Sequence, residues 1–219
     1  MFRRAIVLPM LLPILGEAAR EGSAAVGPAA GEKAFDNTKE AKDIIACASS
    51  KALPDEVTLL PSDSDEAVTV SRGVACFMRI VQTMAEEDDE SEATEGKVEI
   101  PLAKVDAESL HLIVEFARNK LSKAGPDLKE LKFSFVPRPL SGPLHETKSI
   151  FEEDAAFMDE VAKDLEKLFR LTNAVNFVDC PPLLELCTAR IAEMLIGKTP
   201  KEIREIFPEV FKQEAEVAE

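Results

Sequence analysis

The sequence predicts an α+β fold that is rich in helix, and three observations support this class. Short β-prone runs occupy residues 57–60, 67–70 and 98–102. The second half of the chain instead repeats apolar residues every three or four positions, which is the period of a helix with one buried face. Apolar residues make up 46% of the 219 residues, enough to build a core that offsets the entropy of ordering the chain.

The first half of the chain begins with a predicted hairpin. Residues 57–60 and 67–70 are its strands, because the turn formers of residues 61–66 separate them. A helix follows over residues 74–84, and another β-prone run at 98–102 contains Pro101, which requires a sheet edge or a strand end. Asp106 then provides the N-cap of a second helix. The helical periodicities bury two sets of side chains: Val74, Phe77, Met78 and Val81 in the first helix, and Leu110, Ile113, Val114, Ala117 and Leu121 in the second.

The second half of the chain is predicted to be helical after an interruption. Prolines and glycines across residues 122–150 exclude long helices, so this segment is interpreted as a linker or insertion. An apolar stripe over residues 157–175 then predicts a helix of about five turns. A helix with proline at its first positions begins at Pro181. The last helix begins at a capping box, Thr199 with Glu202, and Pro208 should interrupt it before Val210 and Phe211.

The charge and the residue types limit the classes of function. The formal net charge is −15, which repels phosphate backbones and anionic lipid headgroups, so neither nucleic acid nor a membrane is an expected partner. The only two histidines, His111 and His145, exclude sites that need several imidazoles, and His111 is interpreted as a surface or core histidine. Tryptophan and tyrosine are absent, so Phe, Leu and Met must supply the apolar anchors of any interface.

No recognised catalytic motif is present in the sequence. Glycine-rich phosphate loops, the serine nucleophile elbow, the His-Glu-x-x-His helix and calcium-loop spacing are all missing. Asp88 and Asp89 form a carboxylate pair, but seven of the ten residues from 86 to 95 are acidic, which favours a solvated loop over an acid/base pair. We therefore expect no enzymatic activity, no cofactor and no metal.

The amino terminus and the cysteines leave the cellular compartment open. Arg3 and Arg4 precede a short apolar run, which is typical of a secretory signal or an organellar presequence but would also fit an extension without function. Residues 17–56 are predicted to be mostly flexible, with one short helix around 38–48. The cysteines could pair in three ways in a secreted protein, but we interpret all four as buried free thiols in a reducing compartment. They are Cys47, Cys76, Cys180 and Cys187.

The carboxy-terminal part of the chain resembles a known family. Residues 183–207 are similar to the signature of the Skp family, the S-phase kinase-associated protein 1 adaptors of SCF ubiquitin ligases, and the string Gly-Lys-Thr-Pro-x-Glu-Ile-Arg at 197–204 is the most specific part. Residues 174–179 look like the family's Ala-Ala-Asn-Tyr-Leu-Asp. The β-prone runs, the acidic run and the helix after Asp106 occur in the family's order, so the resemblance covers residues 57–211.

The resemblance implies a BTB/POZ-like fold, in which helices cover a small three-stranded sheet and further helices hold the F-box of a substrate receptor. It also implies that the BTB-like part binds a cullin. By the matching motifs, the cullin contacts would be Asn176 and Phe177. The F-box contacts, with the residues that position the last helix, would be Cys187, Met194, Lys198, Thr199, Pro200, Ile203, Ile206 and Phe207.

The resemblance divides the chain into three parts and suggests a role. Residues 1–56 would be a flexible extension, 57–180 the BTB/POZ-like domain with its insertion at 122–150, and 181–219 the dimerisation and F-box-binding helices. The expected function is a non-enzymatic adaptor in the cytoplasm and nucleus, with weak homodimerisation when no partner is bound. Three alternatives stay open: a divergent BTB-like protein, an elongin C-like adaptor, and a secreted or organellar paralogue without a ligase role.

Overall fold

The computed structural model describes residues 37–50, 53–87, 98–125, 128–140 and 142–207. The strands are β1 (Glu56–Pro61), β2 (Val68–Ser71) and β3 (Val98–Leu102). The helices are α1 (Asn37–Ser49), α2 (Arg72–Ala75), α3 (Arg79–Glu87), α4 (Ala107–Ala124), α5 (Glu152–Val161), α6 (Leu165–Val178), α7 (Pro181–Leu195) and α8 (Pro200–Ile206), with a 3₁₀ turn at Leu144–Glu146. The predicted helix-rich α+β class with a small three-stranded sheet is confirmed.

The sheet has the strand order β2-β1-β3. β1 and β2 form the predicted antiparallel hairpin, with Val57 opposite Val70, and β3 runs parallel to β1 with Val98 opposite Val57. Pro101 is exposed on β3, which is an edge strand of this sheet. The proline therefore lies on a sheet edge, one of the two positions that the sequence predicted for it.

The helix predicted over residues 74–84 is instead two helices, α2 and α3, and the single-helix prediction is wrong. The chain leaves helical geometry between Ala75 and Arg79. Cys76, Phe77 and Met78 are each at most 1% exposed, and three consecutive residues of a regular helix point in widely different directions. The break is what allows all three side chains to enter the core.

α4 begins as predicted at Asp106, whose Oδ1 accepts the Ser109 backbone N–H at 2.9 Å. The predicted apolar face is buried, except that Leu121 is half-buried. His111 is exposed, and its Nδ1 lies 2.7 Å from the carbonyl oxygen of Ala107. Most of the acidic run at 86–95 lies outside the described residues.

The segment between α4 and α5 is irregular, as its prolines predict, but it packs into the core. Leu131, Phe133, Leu144 and Ile150 are buried. A cluster of three polar side chains joins this segment to both neighbouring helices. Lys120 of α4 donates to the Asp154 carboxylate of α5, with Nζ 2.6 and 2.7 Å from its two oxygens, and the Ser134 hydroxyl donates to Asp154 Oδ2 at 2.6 Å. We call Lys120, Asp154 and Ser134 the buried cluster.

The apolar stripe at 157–175 belongs to two helices, α5 and α6, so the five-turn helix was also a wrong prediction. α5 ends at Val161, and α6 starts afresh at Asp164, whose Oδ1 accepts the backbone N–H groups of Glu166 and Lys167 at 2.9 and 3.2 Å and so caps the helix. Four side chains of the stripe still lie in the core: Met158, Val161, Leu168 and Val175 are at most 1% exposed.

The predicted short helix near residue 38 is α1, and it packs on the core through Ala41 and Ile44. The interpretation of four free thiols is wrong for two of them: Cys47 of α1 and Cys76 form a disulfide, with their Cα atoms 5.8 Å apart. The two cysteines are 29 residues apart, and only the packing of α1 brings them together. Cys180 and Cys187 are buried free thiols, and burial raises the pKa of each to about 12.

Within the described ranges, no helix combines the length and the apolar character that crossing a bilayer requires.

Candidate partner-binding surfaces

The last turn of α6 carries Asn176 and Phe177, both half-buried. Asp179 ends the helix in the left-handed conformation, with φ of 52°. This turn then satisfies two late helix carbonyls, because the Asp179 N–H donates to Asn176 O at 3.3 Å and the Cys180 N–H donates to Val175 O at 3.1 Å. The end of α6 is therefore a hydrogen-bonded structure that holds both predicted cullin-binding residues in fixed positions.

Lys104 extends this surface from the loop between β3 and α4. Its Nζ lies 5.6 Å from the centroid of the Phe177 ring, within the range of a cation–π contact. Lys104 is exposed, so it places a positive charge beside the aromatic ring in a chain whose net charge is −15. We call Lys104, Asn176 and Phe177 the α6-end surface. Sequence analysis missed Lys104, because no pattern links two positions so far apart.

Arg79 contacts Asp179, the residue that ends α6, and sequence analysis missed it too. Its backbone N–H donates to Asp179 O at 3.2 Å, and its guanidinium lies 3.6 Å from the Asp179 carboxylate. The same guanidinium donates to Glu40 of α1 at 2.5 Å. Burial raises the pKa of Glu40, and the charge of Arg79 acts in the opposite direction. We call Glu40, Arg79 and Asp179 the α1 cluster; it links α1, α3 and the end of α6.

A second surface is formed by the end of α7 and by α8. Lys198, Thr199 and Pro200 are exposed in the connection and at the first turn of α8. The predicted capping box is present: the Glu202 N–H donates to Thr199 Oγ1, and the Glu202 carboxylate accepts the Thr199 N–H at 2.8 Å. This backbone hydrogen bond lowers the pKa of Glu202. Met194, Ile203 and Ile206 are half-buried, so part of each apolar side chain remains available to a partner. We call the following six residues the α7–α8 surface: Met194, Lys198, Thr199, Pro200, Ile203 and Ile206.

Two of the predicted F-box contacts are buried. Cys187 has no exposed area, and Phe207 is 3% exposed. Phe207 packs edge-on against Phe169 of α6, with ring centroids 5.5 Å apart. In this conformation neither side chain exposes appreciable area to a partner, so their contact with an F-box stays a prediction. Pro208, Val210 and Phe211 lie outside the described residues.

Helix α6 connects the two surfaces. Phe169 near its start contacts Phe207 at the end of α8, while Asn176 and Phe177 lie at its other end. The eight residue steps from Phe169 to Phe177 correspond to about 12 Å of helix. Within the part of the chain that the structure describes, no group of three or more His, Cys, Asp or Glu side chains could hold a metal ion. The predicted contact residues of the two partners therefore lie towards opposite ends of α6, a helix with one buried face.

Comparison with known proteins agrees with the predicted resemblance. The profile described as the Skp1 family, dimerisation domain, matches residues 181–218. The chain is 30% identical over 155 residues to the E3 ubiquitin ligase complex SCF subunit sconC of Talaromyces marneffei, an alignment that covers 69% of this chain and 83% of that protein.

Two further relatives come from other eukaryotic groups. The SCF ubiquitin ligase complex protein SKP1b of Dictyostelium discoideum is 27% identical over 148 residues, covering 68% of this chain and 80% of that protein. The S-phase kinase-associated protein 1 homolog of Tetrahymena thermophila is 29% identical over 159 residues, covering 72% of this chain and 86% of that protein. The chain therefore belongs to the Skp1 family.

Proposed function

We propose that the protein is a non-enzymatic adaptor of an SCF-type ubiquitin ligase, in which the α7–α8 surface binds an F-box receptor and the α6-end surface binds a cullin. The observation that carries the proposal is the placement of the two surfaces at opposite ends of α6, in a chain of the Skp1 family. Relatives of this chain are named as SCF subunits, which supports assignment to the same kind of complex.

An adaptor of this kind acts by binding two partners at once and holding them at a fixed distance. Each surface would bury apolar side chains of one partner, and an interface of about 1,600 Å² is the usual size for a specific complex. Most of the gross gain from that burial is offset by the entropy lost on association, so the affinity depends on a few well-placed side chains. Ile203, Ile206 and Met194 have that role on the F-box side, and Phe177 on the cullin side.

The buried face of α6 makes the spacing of the two partners rigid. Leu168, Leu171 and Val175 have no exposed area, so α6 cannot shift without disrupting the core. The adaptor would thus deliver a substrate receptor to the ligase scaffold at a fixed distance and orientation. Lys104 adds specificity, because a cation beside the Phe177 ring favours a partner with acidic side chains at that position.

The test is to substitute each surface separately and to measure binding to both partner classes. Ile203→Asp should abolish capture of F-box proteins and leave capture of the amino-terminal region of a cullin unchanged. Phe177→Asp should have the opposite effect. Lys201→Asp is the matched control for the first variant, because Lys201 is exposed on α8 and outside the proposed contact set. If folded wild-type protein captures neither partner, the proposal is wrong.

One observation favours a second candidate, a secreted or organellar paralogue without a ligase role. The Cys47–Cys76 disulfide is of a kind that is common in oxidising compartments and rare in the cytosol. We nevertheless propose that the protein acts in the cytoplasm and nucleus, where the ubiquitin ligase would operate. Intact-mass measurement of protein from its native cells decides between the two, because a targeting segment would be removed from a secreted or imported chain.

We further propose weak self-association through the α7–α8 surface when no F-box protein is bound. The half-buried apolar side chains there are the reason, and the family profile that covers this region is described as a dimerisation domain. Sedimentation of the purified chain should show a concentration-dependent dimer that an F-box peptide dissociates.

A further inference from the structure

We propose that the Cys47–Cys76 disulfide is a redox clamp, which holds α1 on the core and thereby fixes the end of α6 that carries Asn176 and Phe177. The clamp is a property of this chain's own contacts. Its consequence for a cullin, and the reducing compartment in which it would switch, rest on the proposed function.

α1 is attached at three points along its length. Asn37 at its start donates through Nδ2 to the carbonyl oxygens of Phe133 and Ser134, at 3.0 and 2.8 Å. In its middle, Ile44 is 2% exposed and Glu40 pairs with Arg79. At its end, Cys47 is bonded to Cys76. The first two attachments are non-covalent, so the disulfide is the one that a reductant can break.

Cys76 of the disulfide lies three residues before Arg79, the residue that connects α1 to the end of α6. Cys76 is in the irregular turn between α2 and α3, and its carbonyl accepts a hydrogen bond from the Gln82 side chain at 2.9 Å. Arg79 follows at the start of α3 and contacts Asp179 through both its backbone and its guanidinium. Asp179 is two residues after Phe177. A short chain of contacts therefore runs from the sulfur atoms to the α6-end surface.

A structural role alone does not explain the disulfide. The chain has a core large enough to fold without a covalent link, and most proteins of the proposed compartment keep their cysteines reduced. A disulfide in that environment is usually transient and redox-sensing. Cys180 and Cys187 are fully buried, so they do not compete for exchange with this pair.

The switching step is thiol–disulfide exchange with a reducing dithiol of the thioredoxin class. Its thiolate attacks Cys47 Sγ, because Cys47 is half-buried whereas Cys76 is 1% exposed. The S–S bond breaks, Cys76 leaves as a thiolate and takes up a proton, and a mixed disulfide remains on Cys47. The second thiol of the reductant then attacks its own sulfur in that mixed disulfide and releases Cys47 as a thiol. The reductant loses two electrons and becomes the disulfide, and the protein gains two thiols.

The test compares the full-length chain in its oxidised and reduced forms by hydrogen–deuterium exchange. Oxidised glutathione produces the oxidised form, and thioredoxin with its reductase produces the reduced form. Thiol alkylation followed by peptide mapping reports whether Cys47 and Cys76 are bonded or free. Reduction should speed amide exchange about tenfold or more in α1 and also at residues 176–180. α5 should not change and is the internal reference.

The double variant Cys47→Ala, Cys76→Ala should exchange like the reduced form in both buffers, which separates loss of the bond from any other action of the reductant. Three outcomes would overturn the clamp. These are a bond that never forms, a bond that thioredoxin does not reduce, and a reduced form in which exchange at 176–180 is unchanged.

A binding measurement then connects the clamp to function. The reduced form should bind the amino-terminal region of a cullin about fivefold or more weakly than the oxidised form. Equal affinities would overturn the link between the clamp and the α6-end surface. Failure of both forms to bind would instead overturn the proposed function, while the exchange data would still decide whether the clamp exists.

Discussion

Two clusters of charged side chains attach peripheral segments to the core, and they differ in their access to water. In the buried cluster, the side chains of Lys120 and Asp154 are 5% and 4% exposed. In the α1 cluster, Glu40 is 6% exposed, but Arg79 and Asp179 are 42% and 55% exposed. Both clusters join elements that are distant in sequence, but only the second borders a proposed partner surface.

This difference in exposure indicates which of the two segments can be released from the core. A fully buried ion pair has no water to replace a lost partner, so removing one member leaves an uncompensated charge. A half-exposed arginine can exchange a carboxylate for water at small cost. The buried cluster therefore fixes one arrangement of α4, α5 and the segment between them, whereas the α1 cluster permits release of α1. Four substitutions test this contrast.

The largest effect is expected for Lys120→Met. The variant leaves the Asp154 carboxylate buried without its cation and also removes the contacts of Lys120 Nζ with the rings of Phe116 and Phe151, which lie 5.5 and 4.9 Å away. The free energy of unfolding should fall by about 3–5 kcal/mol. Chemical denaturation measures it. The double variant Lys120→Met, Asp154→Leu should recover most of that loss. If it is no more stable than the single variant, an unpaired buried charge is not the cause.

A smaller loss is expected for Ser134→Ala. The Ser134 hydroxyl donates to Asp154 and accepts the Phe151 N–H at 2.8 Å, and the residue is 5% exposed. Its removal should lower the free energy of unfolding by about 2 kcal/mol, because the carboxylate loses a charge-assisted hydrogen bond. Ser149→Ala is the matched control: the Ser149 hydroxyl donates to Phe135 O at 2.7 Å at a more exposed position, so the loss should be clearly smaller. Equal losses would contradict the role given to burial.

Arg79→Ala should have a moderate effect. It leaves the Glu40 carboxylate buried without its partner, but the space vacated by the half-exposed arginine can admit water. We expect a loss of about 1–2 kcal/mol in the free energy of unfolding. Arg170→Ala is the control, because Arg170 is 43% exposed, like Arg79, but pairs with Glu108, which is 47% exposed. That variant should change stability by less than about 0.5 kcal/mol. If Arg170→Ala lowers the free energy of unfolding as much as Arg79→Ala does, burial of the carboxylate partner does not determine the loss.

The sequence was sufficient for features that depend on neighbouring residues. The hairpin, the edge strand with Pro101, the Asp106 cap and the Thr199 capping box all have short-range signatures, and each is present. The two long helices were wrong because periodicity reports which residues are buried but not whether the helix is continuous. At Cys76–Met78 the side chains are buried where the helix breaks, and around the exposed Asp164 the buried residues Val161 and Leu168 lie on either side of the break.

Contacts between distant positions could not be predicted. Residues 47 and 76, residues 40 and 79, and residues 104 and 177 meet only because α1, the sheet and α6 pack as they do. The proposed partner surfaces were accessible from the sequence because the family signature places them, yet it gave no sign that Cys187 and Phe207 lie inside. A motif records which residues matter but not whether they touch a partner or support a surface.

The smallest effect is expected for Glu40→Gln, and its sign depends on pH. Burial raises the pKa of Glu40 above its ordinary value of 4.5, with Asp43 and Asp179 acting in the same direction and Arg79 and Lys39 opposing. Ionised Glu40 therefore disfavours the folded state, so the variant should be as stable as the wild type at pH 7 or slightly more stable. As the pH falls through the raised pKa towards 4.5, the folded wild type binds its proton before the unfolded chain does. The stability of the wild type relative to the variant should rise over that window.

Glu160→Gln provides the opposite sign in the same protein. A hydrogen bond from Lys163 lowers the pKa of Glu160, so its contribution is present above 4.5 and is lost as the pH falls through the lowered value. Denaturation of the three proteins between pH 7 and 3.5 should thus give difference curves that diverge, rising for Glu40 and falling for Glu160. Parallel curves would mean that Glu40 is hydrated in the folded protein. α1 would then sit more loosely on α3 than the Arg79 contacts indicate, and the disulfide, the Asn37 hydrogen bonds and the buried Ile44 would hold it.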